Sequence, residues 1–370
     1  IMAILITTEP EGSLLTSYNN TIIEFGTNVG NPSRATIMVG TFTFEITPNK
    51  GVFYFNLKEV VKVVNNANNF TDNVSVDLPS SYLFPDNSLY NEVSFTITVY
   101  KTDGTFESLV KKYNYSKGVI QLVRNKFLPG DVIRILSPSK DLNSHLTYFE
   151  GLPFDLSIYS DAARTVTITN KRTSGVLIIP LSKGVNRLFL SNGENDNLGF
   201  EGQLPLHIGI NELEFSGGGE LITVFVKKVA VACGEYLKWF NQNGAWSYWR
   251  CSPIYQEDIK TKHFKELNND FKNIENSNAR VTQTGKTAEN FLNLKTNQMT
   301  EQERFVVAQI FASPKVFYYN NIALQPFELL DWIECSLGSV TKEVDNTKKI
   351  ITEYEIKIEL PKIYTQAYAG

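Results

Sequence analysis

The stretch Glu92-Val93-Ser94-Phe95-Thr96-Ile97-Thr98-Val99-Tyr100 alternates apolar and polar residues without a break. Val93, Phe95, Ile97 and Val99 fall on one side, and Ser94, Thr96, Thr98 and Tyr100 on the other. Successive side chains of a strand point to opposite faces, so this pattern is a strand with one face buried. Working outward, short strands are expected at Ala3–Thr7, Thr21–Phe25, Ala35–Val39, Thr41–Ile46, Val52–Asn56, Val74–Leu78 and Asp131–Leu136. Turn-forming clusters punctuate them: Tyr18-Asn19-Asn20, Gly30-Asn31-Pro32, Pro48-Asn49-Lys50-Gly51 and Thr102-Asp103-Gly104. Strands at this spacing describe a sandwich or barrel. One short helix is expected over Leu57–Val64, where Val60, Val61 and Val64 share a side.

Beyond Ser137-Pro138-Ser139 a second β region is expected, with strands at Thr165–Thr169, Gly175–Pro180, Asn186–Leu190 and Glu220–Lys227. Ser191 to Asp196 and Gly217-Gly218-Gly219 read as turns. The glycine triplet has no phosphate-binding pattern after it, so it reads as a hairpin turn. The last third changes character. Asn243-Gly244 suits a two-residue type I′ loop, which would set Trp239 opposite Tyr248 and Asn241 opposite Trp246. One face would then carry Leu237, Trp239, Trp246 and Tyr248, and the other Tyr236, Phe240, Trp249 and Cys251. Residues 257–286 form a polar arm. Thr300-Glu301-Gln302-Glu303 is a capping box that should open a helix ending before Pro314. A further helical turn is expected at Thr287–Leu294. A long strand is expected over Lys349–Leu360, after a turn at Asp345-Asn346. The fold class expected is mainly β: two β-sandwich-like (Ig-like) domains over 1–137 and 138–232, then an α+β domain over 233–370.

Composition narrows function. The chain has 370 residues, 42% hydrophobic and 20% charged, enough to bury cores in two or three domains. Its formal net charge is −4 without long single-sign blocks, so no nucleic-acid partner is expected. Residues 1–10 lack the charged start and apolar run of a signal peptide. No apolar run reaches the roughly 18 residues that a membrane-crossing helix needs, and no membrane insertion is expected. The three cysteines, Cys233, Cys251 and Cys335, form neither a disulfide framework nor a zinc-ligand spacing, so no metal and no cofactor are expected. The three histidines, His145, His207 and His263, are scattered. No Gly-x-Ser-x-Gly elbow occurs, and Glu353, Glu355 and Glu359 belong to an outer strand face. No catalytic residue is therefore assigned, and the chain is expected not to be an enzyme. The one feature above background is the aromatic hairpin, with Trp239, Trp246, Tyr248 and Trp249 as candidate interface residues. Two readings of it stand: a core hairpin buried between layers, or a face offered to another subunit or to a sugar.

Tyr236-Leu237-Lys238-Trp239-Phe240-Asn241 with Gly244-Ala245-Trp246-Ser247-Tyr248-Trp249 resembles the YLKWLN…GGWSYW signature of tail-associated virion proteins in phages and prophages of Bacteroidetes bacteria. Phe240 and Ala245 stand where Leu and Gly are common. The upstream Gly51-Val52-Phe53-Tyr54-Phe55-Asn56-Leu57-Lys58-Glu59-Val60-Val61 and the downstream Ser313-Pro314-Lys315-Val316-Phe317-Tyr318-Tyr319 and Leu360-Pro361 resemble segments of the same proteins, in the same order. The resemblance implies a structural protein of the phage tail or baseplate, located in the virion and assembled in the bacterial host cytoplasm. It implies a homo-oligomeric ring, other tail proteins as partners, and inter-subunit contacts through residues 257–286 and 345–360. The order of hairpin, arm, helix and final strand resembles the β-sandwich-plus-helix module of ring-forming tail proteins. The alternative reading is a carbohydrate-binding or receptor-binding adhesin with glycan partners.

Overall fold

The computed structural model describes residues 4–28, 30–66, 69–74, 82–120, 132–193, 199–230, 232–253, 256–268, 274–277, 279–320, 328–338 and 353–365. The chain is mainly β and divides into two compact units. The first comprises Ile1–Ala230 with Phe240–Ser247 and Ala323–Leu329, and the second Val231–Trp239, Tyr248–Ile322 and Leu330–Gly370.

The first unit holds two sandwiches. In one, a three-stranded sheet (Ile4–Thr8, Ile22–Thr27, Val52–Asn56) shares a core with a five-stranded sheet (Leu15–Thr16, Phe106–Ser116, Tyr90–Lys101, Pro32–Val39, Phe42–Ile46). The core draws Phe25 and Phe53 from the first sheet, and Ile37, Val93, Phe95, Ile97 and Val99 from the second. The alternation of Glu92–Tyr100 is thus realised, inside the strand Tyr90–Lys101. The expected helix forms over Lys58–Asn65 and turns Val60 and Val61 into the same core.

The second sandwich pairs a four-stranded sheet (Ile133–Ile135, Phe154–Ser160, Gly184–Ser191, Leu83–Pro85) with a five-stranded one (Ser144–Phe149, Glu220–Val229, Gly209–Gly217, Arg164–Asn170, Gly175–Leu181). Leu83–Pro85 comes from before Ser137 yet pairs with Gly184–Ser191, so strand pairing crosses the 137/138 division read from the sequence. Every residue of Phe154–Ser160 and Gly184–Ser191 is buried, so these strands are covered on both faces. The glycine triplet turns between paired Gly217 and Glu220, with Gly218 and Gly219 both at positive φ, as a type I′ loop requires.

The second unit is α+β. Its sheet runs Trp246–Arg250, Tyr236–Phe240, Val316–Tyr319, Trp332–Leu337, Glu355–Glu359, Lys286–Lys295, Gln256–His263. The capped helix is Glu301–Val307, with both reciprocal bonds of the Thr300/Glu303 box formed. The helical turn expected at Thr287–Leu294 is instead part of the strand Lys286–Lys295. Ala288, Leu292 and Leu294 are buried there, and ladders on both edges override the local preference. Of the expected strand at Val74–Leu78, Val74 lies outside any strand and 75–78 fall outside the described residues. The Asp345-Asn346 turn, residues 349–352 and the end of the Ser191 loop (194–196) also lie outside them. The visible part of the final strand keeps its pattern: Tyr354, Ile356 and Ile358 are buried, Glu355 and Lys357 exposed.

Candidate interaction surface

The Trp-rich hairpin forms, but in a different register from the one expected. The Asn241 N–H donates to the Ala245 carbonyl at 2.8 Å, and Glu235 and Cys251 exchange two backbone bonds. These pairs enclose a three-residue loop, Gln242-Asn243-Gly244, rather than a two-residue one. Only Gly244 of the loop has positive φ, at 87°, whereas a type I′ turn needs two such residues. The Gly244 N–H closes the turn on the Asn241 carbonyl at 3.1 Å. The Asn241 side-chain oxygen accepts from the backbone N–H groups of Asn243 and Ala245. That side chain favours the longer loop, because it caps two amides the shorter one would leave open. The loop after Lys101 is built the same way, with Gly104 at positive φ and the Lys101 N–H donating to the Thr105 carbonyl at 2.9 Å.

A one-residue slip exchanges the faces of one strand. Trp246 and Tyr248 therefore join Tyr236 and Phe240, while Trp249 and Cys251 join Leu237 and Trp239. Ring contacts agree: Phe240 meets Trp246 edge-on at 5.1 Å, and Tyr236 stacks on Tyr248 at 5.9 Å. The four candidate interface residues are all buried: Trp239 is 0%, Trp246 4%, Tyr248 6% and Trp249 4% exposed. Within the chain the hairpin does not offer them as a free face.

What the stem holds in the second unit is an aromatic enclosure around a lysine. Lys238 is buried, with its Nζ 4.1 Å from the centre of the Trp332 ring and 5.0 Å from that of Phe317. Tyr236, Tyr248 and Tyr319 surround Trp332 at 5.9, 6.0 and 4.7 Å. A desolvated ammonium over aromatic faces is stabilised by their quadrupoles. In the first unit the tip is tied down by backbone. Asn243 Nδ2 donates to the Ser137 carbonyl at 2.9 Å and the Val119 N–H to the Gln242 carbonyl at 2.6 Å. Phe240 also meets Phe70 edge-on at 4.9 Å.

Sequence reading missed a buried charge network in the first unit. Arg187 grips Asp155 with both sides of its guanidinium, at 3.0 and 2.7 Å, and Nη1 reaches Asp72 at 2.6 Å and Asp86 at 3.5 Å. All four side chains are buried. Lys117, also buried, sits over the Phe70 ring at 5.5 Å, and burial pushes its pKa below the usual lysine value while Asp86 opposes that shift. The network draws on four distant segments, and no spacing in the sequence announces it. Among the described residues no group of three or more His, Cys, Asp or Glu side chains could hold a metal ion. Burial pushes the thiols of Cys251 and Cys335 up to about 12, and Cys233 is exposed. His145 stacks on Phe225 and pairs with Asp141, and His263 lies beside Gln283 in the arm.

The described part of the arm at 257–286 forms a two-stranded ribbon. Gln256–His263 pairs antiparallel with Lys286–Lys295, and Glu266–Asn268 pairs with Val281–Gln283 at the same offset. The pairing runs from Gln256 opposite Asn293 to Asn268 opposite Val281, roughly 40 Å at the usual rise per residue. Among the described residues, only Lys286–Lys295 of the ribbon has a strand on its other side, Glu355–Glu359, which pairs with Phe291–Lys295. Ile259, Phe264, Leu267 and Ile274 are exposed on the ribbon, Ile274 by 91%.

No family model matches the chain, and no curated protein matches it. Solved structures align with part of the chain. A chimeric titin Z1Z2 aligns at 7% identity and TM-score 0.20, covering 63% of this chain and 98% of that one. A titin A168–A169 pair aligns at 9% identity and TM-score 0.26, covering 62% and 100%. A bacterial ice-binding adhesin aligns at 10% identity and TM-score 0.18, covering 68% and 84%. Scores this low carry no inference about function, and the fold stands on the strand pairing described above.

Proposed function

We propose that this chain is a non-catalytic structural protein of a phage tail or baseplate. In this reading it is located in the virion, assembles with copies of itself into a ring and binds neighbouring tail proteins. The observation that carries the reading is the ribbon. A lone two-stranded ribbon is marginal in water, and this one exposes Ile259, Phe264, Leu267 and Ile274. Among the described residues its outer half pairs only with itself. A neighbouring subunit laid against that half would cover Phe264, Leu267 and Ile274, and a repeated head-to-tail contact of this kind closes into a ring. Electron microscopy of the purified chain tests the reading. Closed rings are expected, and replacing 264–284 by a short turn should give a folded protein that no longer closes. A chain that stays monomeric at high concentration would overturn it.

The adhesin reading keeps one observation of its own. On the outer face of the first sandwich, Phe106 is 64% exposed beside Tyr100 at 6.0 Å, and Arg34 covers Tyr100 while pairing with Glu45. Trp249 is buried, so Phe106→Ala rather than Trp249→Ala is the variant that should abolish glycan-array binding.

A further inference from the structure

The strand Gln256–His263 ends the seven-stranded sheet, and nothing among the described residues pairs with its outer edge. Which of its backbone groups face outward follows from the next strands. The Leu360 N–H donates to the Asn290 carbonyl, and the Ile363 N–H to the Ala288 carbonyl. Asn290 and Ala288 thus direct their backbone groups toward Glu355–Glu359, and Glu289 and Phe291 toward Gln256–His263. Glu289 pairs with Lys260 and Phe291 with Asp258, so Lys260 and Asp258 face inward. Glu257, Ile259, Thr261 and His263 therefore present their N–H and C=O groups at the open edge. Such an edge is a template for another strand.

The side chains of the strand decide which strand. Its start is acidic, Glu257 and Asp258, and its later part basic, Lys260 and Lys262. An antiparallel copy of the same strand brings acid to base. The outward-facing residues fix the allowed registers, because each must meet another outward-facing residue. With Ile259 against Ile259 of a second copy, Asp258 meets Lys260 on both sides of the axis, Glu257 meets Thr261 and Gln256 meets Lys262. The next register sets Lys260 against its own copy, and the one after sets Lys260 against Lys262. Lysines on an edge ordinarily keep it from pairing, and here they veto those two registers and permit the first. Ile259, 62% exposed, lies at the axis, where its copy would cover it.

We propose that Gln256–Lys262 is a two-fold joint at which a second copy of this chain adds its own edge strand, centred on Ile259 and continuing the sheet from one copy into the other. The occupant is a second copy because the charge sequence complements itself. The joint is independent of a ring, since a two-fold contact cannot close one; it links two chains, or two rings face to face.

Residues meeting at a hydrogen-bonded antiparallel pair have Cα atoms about 5.5 Å apart, within disulfide reach. In a Cys233→Ser background, Ile259→Cys should convert most of the chain to a covalent dimer under mild oxidation. Thr261→Cys, which meets Glu257 instead of its own copy, should stay uncrosslinked. Lys260→Glu, with an unchanged melting curve, should weaken the dimer about tenfold in sedimentation, because two like-charge contacts replace two ion pairs. Crosslinking at Thr261→Cys and not at Ile259→Cys would overturn the register. A wild-type chain that sediments as a monomer while Ile259→Cys stays uncrosslinked would overturn the joint.

Discussion

Gly118 and Gly244 face each other at a distance that leaves room for no side chain on either. A Cβ on Gly244 would lie 2.8 Å from the Gly118 nitrogen, and one on Gly118 would lie 2.8 Å from the Gln242 carbonyl oxygen. The hairpin tip can reach the Lys117–Val119 segment only because both positions are bare backbone. Gly244 also sits at positive φ, where an alanine costs about 1–2 kcal/mol in backbone conformation alone. Gly244→Ala should therefore lower stability by more than that amount in urea unfolding. Gly118→Ala, which lacks the positive-φ cost, should still destabilise through overlap with backbone. Gly244→Asn tests the distinction: asparagine tolerates positive φ, so its failure to rescue would isolate the steric term.

Arg187 is the cation that three buried carboxylates share. Removing one partner of a buried ion cluster leaves uncompensated charge, at a cost of about 3–5 kcal/mol. Arg187→Met keeps much of the volume and removes the charge, so a loss of that size in denaturant unfolding would be electrostatic. A loss below about 1 kcal/mol, the range of exposed pairs, would mean that Asp72, Asp86 and Asp155 are not held as the geometry indicates.

The thiols should divide by burial. The thiolate is the reactive form, and Cys251 and Cys335 are both buried and raised to about 12. A disulfide reagent at mildly alkaline pH should label Cys233 alone in the folded chain, and all three cysteines in denaturant. Rapid labelling of Cys251 in the folded state would show that the stem opens.

Alkaline pH should destabilise the first unit. Burial raises Tyr90 and Tyr159 from 10.0 to about 12 in the fold, with Glu92 adding to the first and Tyr90 to the second. Their neutral forms are favoured when folded, so above pH 10 the unfolded chain loses protons that the folded chain retains. The stability they contribute is full below pH 10 and is lost as pH rises through 12. Tyrosinate absorbance should rise together with loss of β circular dichroism across that window. Absorbance that rises fully near pH 10 with the fold intact would contradict the burial of these phenols.

Alternation located Tyr90–Lys101, and the strands expected at Thr165–Thr169 and Glu220–Lys227 form as Arg164–Asn170 and Glu220–Val229, each with one face buried. Phe154–Ser160 and Gly184–Ser191 were illegible or only partly legible, because a strand buried on both faces can carry Asp155 and Arg187 inside and so loses the two-residue period. The helical turn expected at Thr287–Leu294 failed because ladders to Gln256–His263 and Glu355–Glu359, both distant in sequence, hold the segment as a strand.

The sequence by itself determined the mainly β class, the Thr300 capping box and the existence of a hairpin around Gly244. Those depend on residues near one another in the chain, where side-chain period and backbone conformation act directly. Tertiary structure decided the hairpin register, the burial of Trp239, Trp246, Tyr248 and Trp249, the Arg187 network and the open edge at Ile259. Each depends on segments far apart in sequence, and a shift of one residue in a strand reverses which face meets the core.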